Sequence, residues 1–239
     1  MFLFFAISPI DTALTYAFVV NYIGLGPYNW HFWSLCVEMQ FYLAIALTVW
    51  LLGRQGLWLV FPACIAVTLI RINAGSYIDF RTHLRVDEIL AGACVAMVFK
   101  ESWRGALRFP TSLAACAAIL WAACSAPESG WLQYVRPYAS GAMLMVILTH
   151  RDTVLLRLLS CAPLRYVANI SYALYVIHPV TYMGWMHEGS FWPRAAKRLV
   201  SFALTFSLAH LSTFYWESPW RKAASGWIAR RYVTASSKP

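Results

Sequence analysis

The sequence predicts an all-α protein, a polytopic bundle of transmembrane helices. Of its 239 residues, 60% are hydrophobic and only 12% are charged, about half the charged fraction that is typical of soluble domains. The mean hydropathy is +0.56. Apolar stretches recur along the whole chain, and a helix needs about 20 mostly apolar residues to cross the hydrocarbon core of a bilayer. Most of this chain is therefore predicted to lie in lipid.

The apolar stretches predict about eight membrane spans. The segment 154–162 is too short to span and is predicted to lie on the membrane surface as an amphipathic helix. No internal repeat is visible, so we expect one membrane domain over residues 1–222 and a basic tail over 223–239. The predicted spans are 2–23, 32–52, 56–72, 85–99, 110–125, 135–149, 167–186 and 197–216.

The net charge of +9 is distributed as membrane topology requires. Lys and Arg lie mainly between the apolar segments and in the tail, and no compact basic face indicates nucleic-acid binding. If eight spans alternate, the side that holds both chain ends carries twelve basic residues and the other side carries seven. Because cytoplasmic loops are enriched in Lys and Arg, the C-terminus is predicted to be cytoplasmic.

Two common features of other protein classes are absent from the sequence. The six cysteines form no CxxC pair, so neither a disulfide framework nor a metal site is predicted. The first residues contain no basic segment, so no cleavable signal peptide is predicted.

A polar stripe interrupts the second predicted span. Ser34, Glu38 and Tyr42 follow one another at intervals of four residues, which places them on one face of a helix. His31 precedes Glu38 by seven residues and lies on nearly the same side. A carboxylate within a span costs several kcal/mol unless it is paired, protonated or hydrated, so Glu38 is a candidate functional residue. The alternative is a carboxylate near the interface that pairs with a basic residue of a neighbouring helix.

The same stretch, HFWSLCVEMQFYL, resembles the motif H-x-W-S-L-x-x-E-x-Q-F-Y-L of the acyltransferase-3 family of integral membrane O-acyltransferases. It departs from the family at Cys36, where a small residue is usual, and at Met39, where an acidic residue is common. The matching residues are His31, Trp33, Ser34, Leu35, Glu38, Gln40, Phe41, Tyr42 and Leu43.

Three weaker motifs of this family follow in its order. They are similar to RVDEILAGACVA, ISYALYVIHPV and FYWESPWRK of this chain. Four motifs in order over residues 31–222 are a specific signal. The residues that match the three weaker motifs are Arg85, Asp87, Gly92, Ser171, Tyr172, Tyr175, His178, Glu217 and Pro219.

The resemblance implies a bacterial inner-membrane enzyme that transfers an acyl group from acyl-CoA to a hydroxyl of a carbohydrate, lipid or other envelope acceptor. Acyl-CoA is the donor substrate, and no bound cofactor is expected. An alcohol that attacks a thioester needs a base for its proton and a positive charge or dipole for the oxyanion. Glu38 and His31 are the candidate catalytic residues, with Trp33, Ser34 and Tyr42 as candidates for substrate binding.

The weaker motifs add four candidate substrate-binding residues, each with an alternative role. Arg85 could hold a CoA phosphate or pair with Glu38 or Glu88. His178 could bind or react, or could donate to a backbone carbonyl in the core. Ser171 and Tyr175 could line a cavity or join two helices by hydrogen bonds.

One feature of the family is missing near the start of the chain. Members carry a histidine, the expected base, about eleven residues after an arginine in their first span, and this chain has no such pair. The family has ten spans and this chain has eight predicted ones, so the first two are predicted to be lacking. Because the expected base is lacking with them, the chain alone is predicted to be inactive. A non-enzymatic transporter or scaffold subunit with the same fold is the alternative, although the two halves lack the symmetry typical of transporters.

Overall fold

The structure is a computed structural model that describes residues 9–24, 30–100, 112–149, 154–182 and 190–236. Every regular element in these ranges is a helix, which confirms the all-α prediction. The α-helices are α1 (Pro9–Tyr16), α2 (Val20–Ile23), α3 (Trp33–Leu52), α4 (Val60–Asn73), α5 (Asp87–Lys100), α6 (Ser112–Ser125), α7 (Arg136–Thr149), α8 (Val154–Leu159), α9 (Ala162–Tyr182), α10 (Phe191–Leu211) and α11 (Ser218–Ser236).

The chain divides into two compact units, residues 1–156 and 157–239. Two helical stretches among the described residues are long and apolar enough to cross a membrane, Trp30–Asn73 and Phe191–Ile228. The other predicted spans correspond to helices that are shorter or less apolar as described, so the number of eight spans is not confirmed. The short helix predicted within 154–162 is present as α8.

The prediction of one continuous helix over 2–23 is wrong within the described residues. Two short helices, α1 and α2, replace it, because the chain turns at Phe18, whose φ of 55° is left-handed. A non-glycine residue in this conformation ends a helix. The turn frees the carbonyl of Phe18, and the Gln40 side chain of α3 donates to it at 2.6 Å. Average hydropathy could not reveal this break, since the residues around it are apolar.

A glycine-dependent turn joins α3 to α4. Helix α3 ends at Leu52, and Gly53 follows with a φ of 65° and a ψ of −165°, a conformation that is essentially restricted to glycine. A 3₁₀ segment, Gly53–Leu59, then packs back against α3. A Cβ atom at Gly56 would lie 2.8 Å from Cγ2 of Thr48, so only glycine fits without a shift of its neighbours.

The core of the first unit lies between α3, α4 and α5. Val60 and Cys64 of α4 pack with Leu90 of α5, and Phe41 and Ile45 of α3 pack against them. The side of α3 that carries other large apolar residues is exposed, as expected for a surface that lipid covers. These exposed residues are Leu43, Leu47, Trp50 and Leu51.

A buried ion pair joins the last turn of α4 to the first turn of α5. Nη1 of Arg71 lies 2.5 Å from Oδ2 of Asp87, and both residues are fully buried. Nη2 of Arg71 donates to the carbonyl of Tyr77 at 2.8 Å, and Tyr138 donates at 2.9 Å to Thr68, which lies 3.4 Å from the same Asp87 oxygen. The topology count included Arg71 among the seven basic residues of the side opposite the chain ends, whereas the structure buries it in the core.

In the second unit, α9 packs against α10 through a small apolar core and a cluster of hydroxyls. Ile170 and Ala173 of α9 contact Ala209 of α10. Oγ1 of Thr181 hydrogen-bonds Oγ1 of Thr205 across the two helices. These polar contacts are buried, and they fix the register of the two helices.

Helix α10 leads into α11 through a π turn, Ser212–Glu217. Pro219, in the first turn of α11, has no N–H to donate to the preceding helix, and a wider turn gives its ring room. The segment predicted as a basic tail from residue 223 is helical as far as Ser236.

Loss of one partner of the buried ion pair should destabilise the protein strongly. Asp87→Asn leaves the Arg71 charge without its counter-charge, and we expect the free energy of unfolding to fall by about 3–5 kcal/mol. Thermal unfolding in detergent, followed with a thiol-reactive dye that reports exposure of buried cysteines such as Cys64, measures the loss. The double variant Arg71→Met/Asp87→Leu should recover most of it.

The control for this experiment is Glu128→Gln, which removes an exposed carboxylate outside the core. Equal unfolding midpoints for Asp87→Asn and Glu128→Gln would contradict the structural role of the ion pair.

Candidate functional site

The predicted polar stripe is present on α3. The hydroxyl of Tyr42 donates to Oε1 of Glu38 at 2.6 Å, as the spacing of four residues allows. Glu38 and Ser34 are half-buried, and Tyr42 is 53% exposed. No ion pair joins Glu38 to a basic residue within the described ranges, so the structure gives no support to the alternative of a purely structural pair.

His31 precedes α3 in a short 3₁₀ turn, Trp30–Phe32. Its side chain is only 3% exposed, and its ring centroid lies 4.0 Å from that of Phe32 and 6.2 Å from that of Trp30. The aromatic neighbours hold the imidazole in an apolar environment at the start of the stripe.

Arg85 lies two residues before α5 and contacts α3. Its guanidinium carbon is 5.5 Å from the centre of the Trp33 ring, a cation–π distance. Its Nη2 lies 3.6 Å from Oε1 of Glu88, so Glu88 is the observed partner rather than Glu38. Arg136 of α7 binds the same Glu88 oxygen more closely, at 2.5 Å from Nη2 and 2.8 Å from Nε.

This arrangement leaves hydrogen-bonding capacity on Arg85. Nε and Nη1 of Arg85 are buried, and no group in the described ranges accepts from them. One carboxylate also serves two guanidinium groups, so the cluster of Arg85, Glu88 and Arg136 carries an excess positive charge. A phosphate or carboxylate group is the chemical partner that such a cluster accepts.

A closed network of side-chain hydrogen bonds joins α2, α3 and the segment before α5. Oε1 of Gln40 accepts from Thr82 at 2.6 Å, and Nε2 of Gln40 donates to Oδ1 of Asn21 at 3.2 Å as well as to the Phe18 carbonyl. Nδ2 of Asn21 donates to Oγ1 of Thr82 at 3.0 Å and to the carbonyl of Phe80 at 3.1 Å. Every amide hydrogen of the two side-chain carboxamides is therefore used.

Three candidate residues of the second unit line one cavity. Ser171, Tyr175 and His178 of α9 face a cavity of about 730 Å³. Nδ1 of His178 donates to the carbonyl of Tyr175 at 2.7 Å, and Ser171 donates to the carbonyl of Ala168 within its own helix. The hydrogen bond of His178 to the Tyr175 carbonyl is the backbone contact that the sequence analysis offered as its alternative role. The cavity is completed by Leu174, Thr181, Arg198, Ser201, Phe202, Thr205 and Phe206.

The structure thus brings some of the predicted site residues into contact in pairs. Glu38 contacts Tyr42, and Trp33 contacts Arg85. Sequence reasoning missed other residues around these groups, because their partners are distant in sequence and no motif pairs them. The missed residues are Asn21, Arg71, Thr82, Arg136 and Arg198.

Comparison with known proteins decides the family. The Acyl_transf_3 family model, which describes an acyltransferase domain, matches residues 1–215. The chain belongs to the acyltransferase-3 family. This confirms the family that the motifs indicated and identifies a membrane acyltransferase family. A search of curated proteins and a search of solved structures gave no match.

The acyltransferase-3 chain also carries a tight ion pair in the loop between α4 and α5. Nε and Nη2 of Arg81 donate to the two carboxylate oxygens of Asp79 at 3.1 and 2.8 Å, and the backbone N–H of Arg81 donates at 2.7 Å. The Arg81 side chain lowers the pKa of Asp79 from 3.8 to about 2, chiefly through these hydrogen bonds. The loop leads into Thr82, so this pair helps to position the Gln40 network.

The titration of Asp79 should report this pair. Because its pKa is lowered in the folded state, the pair stabilises the loop above about pH 4, and this contribution is lost as the pH falls through about 2. In protein labelled with ¹³C-carboxyl aspartate, we expect a titration midpoint near 2, and one near 3.8 in Arg81→Ala. Asp79→Asn assigns the resonance, and an unchanged midpoint in Arg81→Ala would contradict the pair.

Proposed function

We propose that the chain is an O-acyltransferase of the bacterial inner membrane that uses acyl-CoA as donor and a hydroxyl of a carbohydrate, lipid or other envelope molecule as acceptor. The acceptor oxygen forms a bond to the thioester carbonyl carbon, the carbon–sulfur bond breaks, and CoA leaves as the thiol after it takes up a proton. The observation that carries this proposal is the half-buried Glu38 carboxylate, hydrogen-bonded to Tyr42 within the family's main motif.

Glu38 is proposed to take the proton of the acceptor hydroxyl as the new bond forms. The Tyr42 hydroxyl, 2.6 Å away, holds one carboxylate oxygen in place. His31 is the second candidate base, since its imidazole is buried at the start of the same stripe.

The donor is proposed to bind at the positive cluster of the first unit. Arg85 and Arg136 share only one carboxylate, and Arg85 has buried N–H groups that no group in the described ranges occupies. These groups suit the phosphates of CoA. Trp33, in contact with Arg85, and Ser34 and Tyr42 of the stripe would then adjoin the thioester.

The second unit offers a cavity for an acceptor. Ser171, Tyr175 and His178 line one wall of the cavity of about 730 Å³, a volume within the usual range of small-molecule sites. We propose that these three residues bind the acceptor.

The test of the proposed function is an assay of CoA release with several acyl-CoAs and hydroxyl acceptors. The chain is purified in nanodiscs, both alone and with the first two spans of a family member fused before Met1. We expect acyl transfer in the fused form and a loss of about 10²–10⁴-fold in kcat on Glu38→Gln, the usual contribution of a base. Glu128→Gln is the matched control, because it removes an exposed carboxylate from the first unit.

Each contrary result has a distinct meaning. Wild-type turnover in Glu38→Gln would show that Glu38 is structural, and loss of activity in His31→Ala alone would move the base to His31. Absence of transfer in both forms, with intact folding, would overturn the proposal in favour of a non-enzymatic scaffold or transporter.

The proposed topology is tested with fused reporters. We expect a reporter after Pro239 and one within 100–109 in the cytoplasm, and one within 126–134 outside, since the side with twelve basic residues should be cytoplasmic. An external reporter after Pro239 would mean that the spans were counted wrongly.

A further inference from the structure

We infer that α10 carries a binding site for an anionic membrane lipid, whose phosphate lies between Arg194 and Arg198 and one of whose hydrocarbon chains lies along α10 towards Phe206. The inference concerns the second unit alone and does not depend on acyl transfer.

Two adjoining cavities form this site. The cavity of about 730 Å³ between α9 and α10 shares Arg198 and Phe202 with a second cavity of about 450 Å³. The second cavity is lined by Phe191, Arg194, Ala195, Arg198, Leu199 and Phe202. A ligand at Arg198 can therefore extend into both cavities.

The charge of the site selects an anion. Arg194 and Arg198 are four residues apart on α10, so their side chains rise from the same face with about 5–6 Å between Cβ atoms. Both are exposed, and neither forms an ion pair within the described part of the chain. The described lining residues of the two cavities include no carboxylate. Two guanidinium groups at this spacing can bind one phosphate, each by paired N–H···O bonds.

The apolar surface beside the arginines selects a lipid over a free phosphate ion. Leu199 and Phe202 are 73% and 67% exposed, and the Phe202 ring stacks on that of Phe206 with centroids 5.1 Å apart. From Arg198 to Phe206 the helix rises about 12 Å, enough to cover much of one hydrocarbon chain. An exposed apolar groove that begins at two cations fits an amphiphile with an anionic head.

The position of the aromatic residues agrees with this orientation. Phe191 and Trp192 open α10 and are strongly exposed, and tryptophan concentrates at the level of lipid headgroups. Arg194 and Arg198 follow within the next two turns, and the apolar residues come after them. Along α10, the residues that suit the membrane interface come first, those that suit the lipid headgroup come next, and those that suit the hydrocarbon chains come last.

The experiment is native mass spectrometry of the full chain, purified in detergent and supplied with phosphatidylglycerol or phosphatidylcholine. We expect the wild type to retain the anionic lipid about tenfold better than the zwitterionic one, and Arg194→Ala/Arg198→Ala to lose this preference. Arg157→Ala/Arg165→Ala is the matched control, since it also removes two exposed arginines of the second unit, and these line neither cavity. Equal loss in Arg157→Ala/Arg165→Ala would overturn the site, because net charge alone would then explain binding.

Two further arms separate a lipid from a free anion. Phe202→Ala should reduce retention of long-chain phosphatidylglycerol several-fold more than that of a short-chain form, because it removes the surface under the chain. Excess inorganic phosphate should not displace the long-chain lipid. Displacement by phosphate, or equal effects of Phe202→Ala on both chain lengths, would overturn the lipid assignment in favour of an anion site.

Discussion

Arg71 and Asp87 lie fully buried in a chain that is otherwise largely apolar, and neither charge could remain there without the other. Their ion pair ties the end of α4 to the start of α5. Arg85 and Glu88 flank Asp87 in sequence, so the pair also sets where these two side chains stand. Arg85 reaches Trp33 of α3 and Glu88 reaches Arg136 of α7 because the start of α5 is fixed at this point.

The hydrogen-bond network of Gln40 shows that buried uncharged polar groups also need partners. The turn at Phe18 frees a carbonyl from the helical hydrogen-bond pattern, and a buried carbonyl left without a partner costs about 1–3 kcal/mol. Gln40 satisfies it and at the same time holds Asn21 and Thr82. Helix α2, the helix with the family's main motif (α3) and the segment before α5 are thereby held together.

The sequence predicted features that depend on neighbours along the chain. Long apolar runs predicted the bounds of seven helices to within several residues, namely α3, α4, α5, α6, α7, α9 and α10. The spacing of Glu38 and Tyr42 predicted their contact, because one helical turn separates them. The break at Phe18 was missed because hydropathy averages over it. Arg71 was counted among the basic residues that decide the topology, because its partner lies 16 residues away and only folding shows that the two meet. The family followed from four motifs, whereas the contact of Arg85 with Trp33 needed the structure.

The π turn at Ser212–Glu217 changes the direction in which the side chains of α11 point. One extra residue in a helix rotates all later side chains by about 100° relative to an uninterrupted α-helix. The residues of α11 are therefore out of rotational phase with those of α10, although the two helices are continuous. A uniform helical wheel drawn over Phe191–Ile228 superposes two different faces. Arg221 and Lys222 consequently point along a direction that is set by the turn and not by the amphipathic pattern of α10.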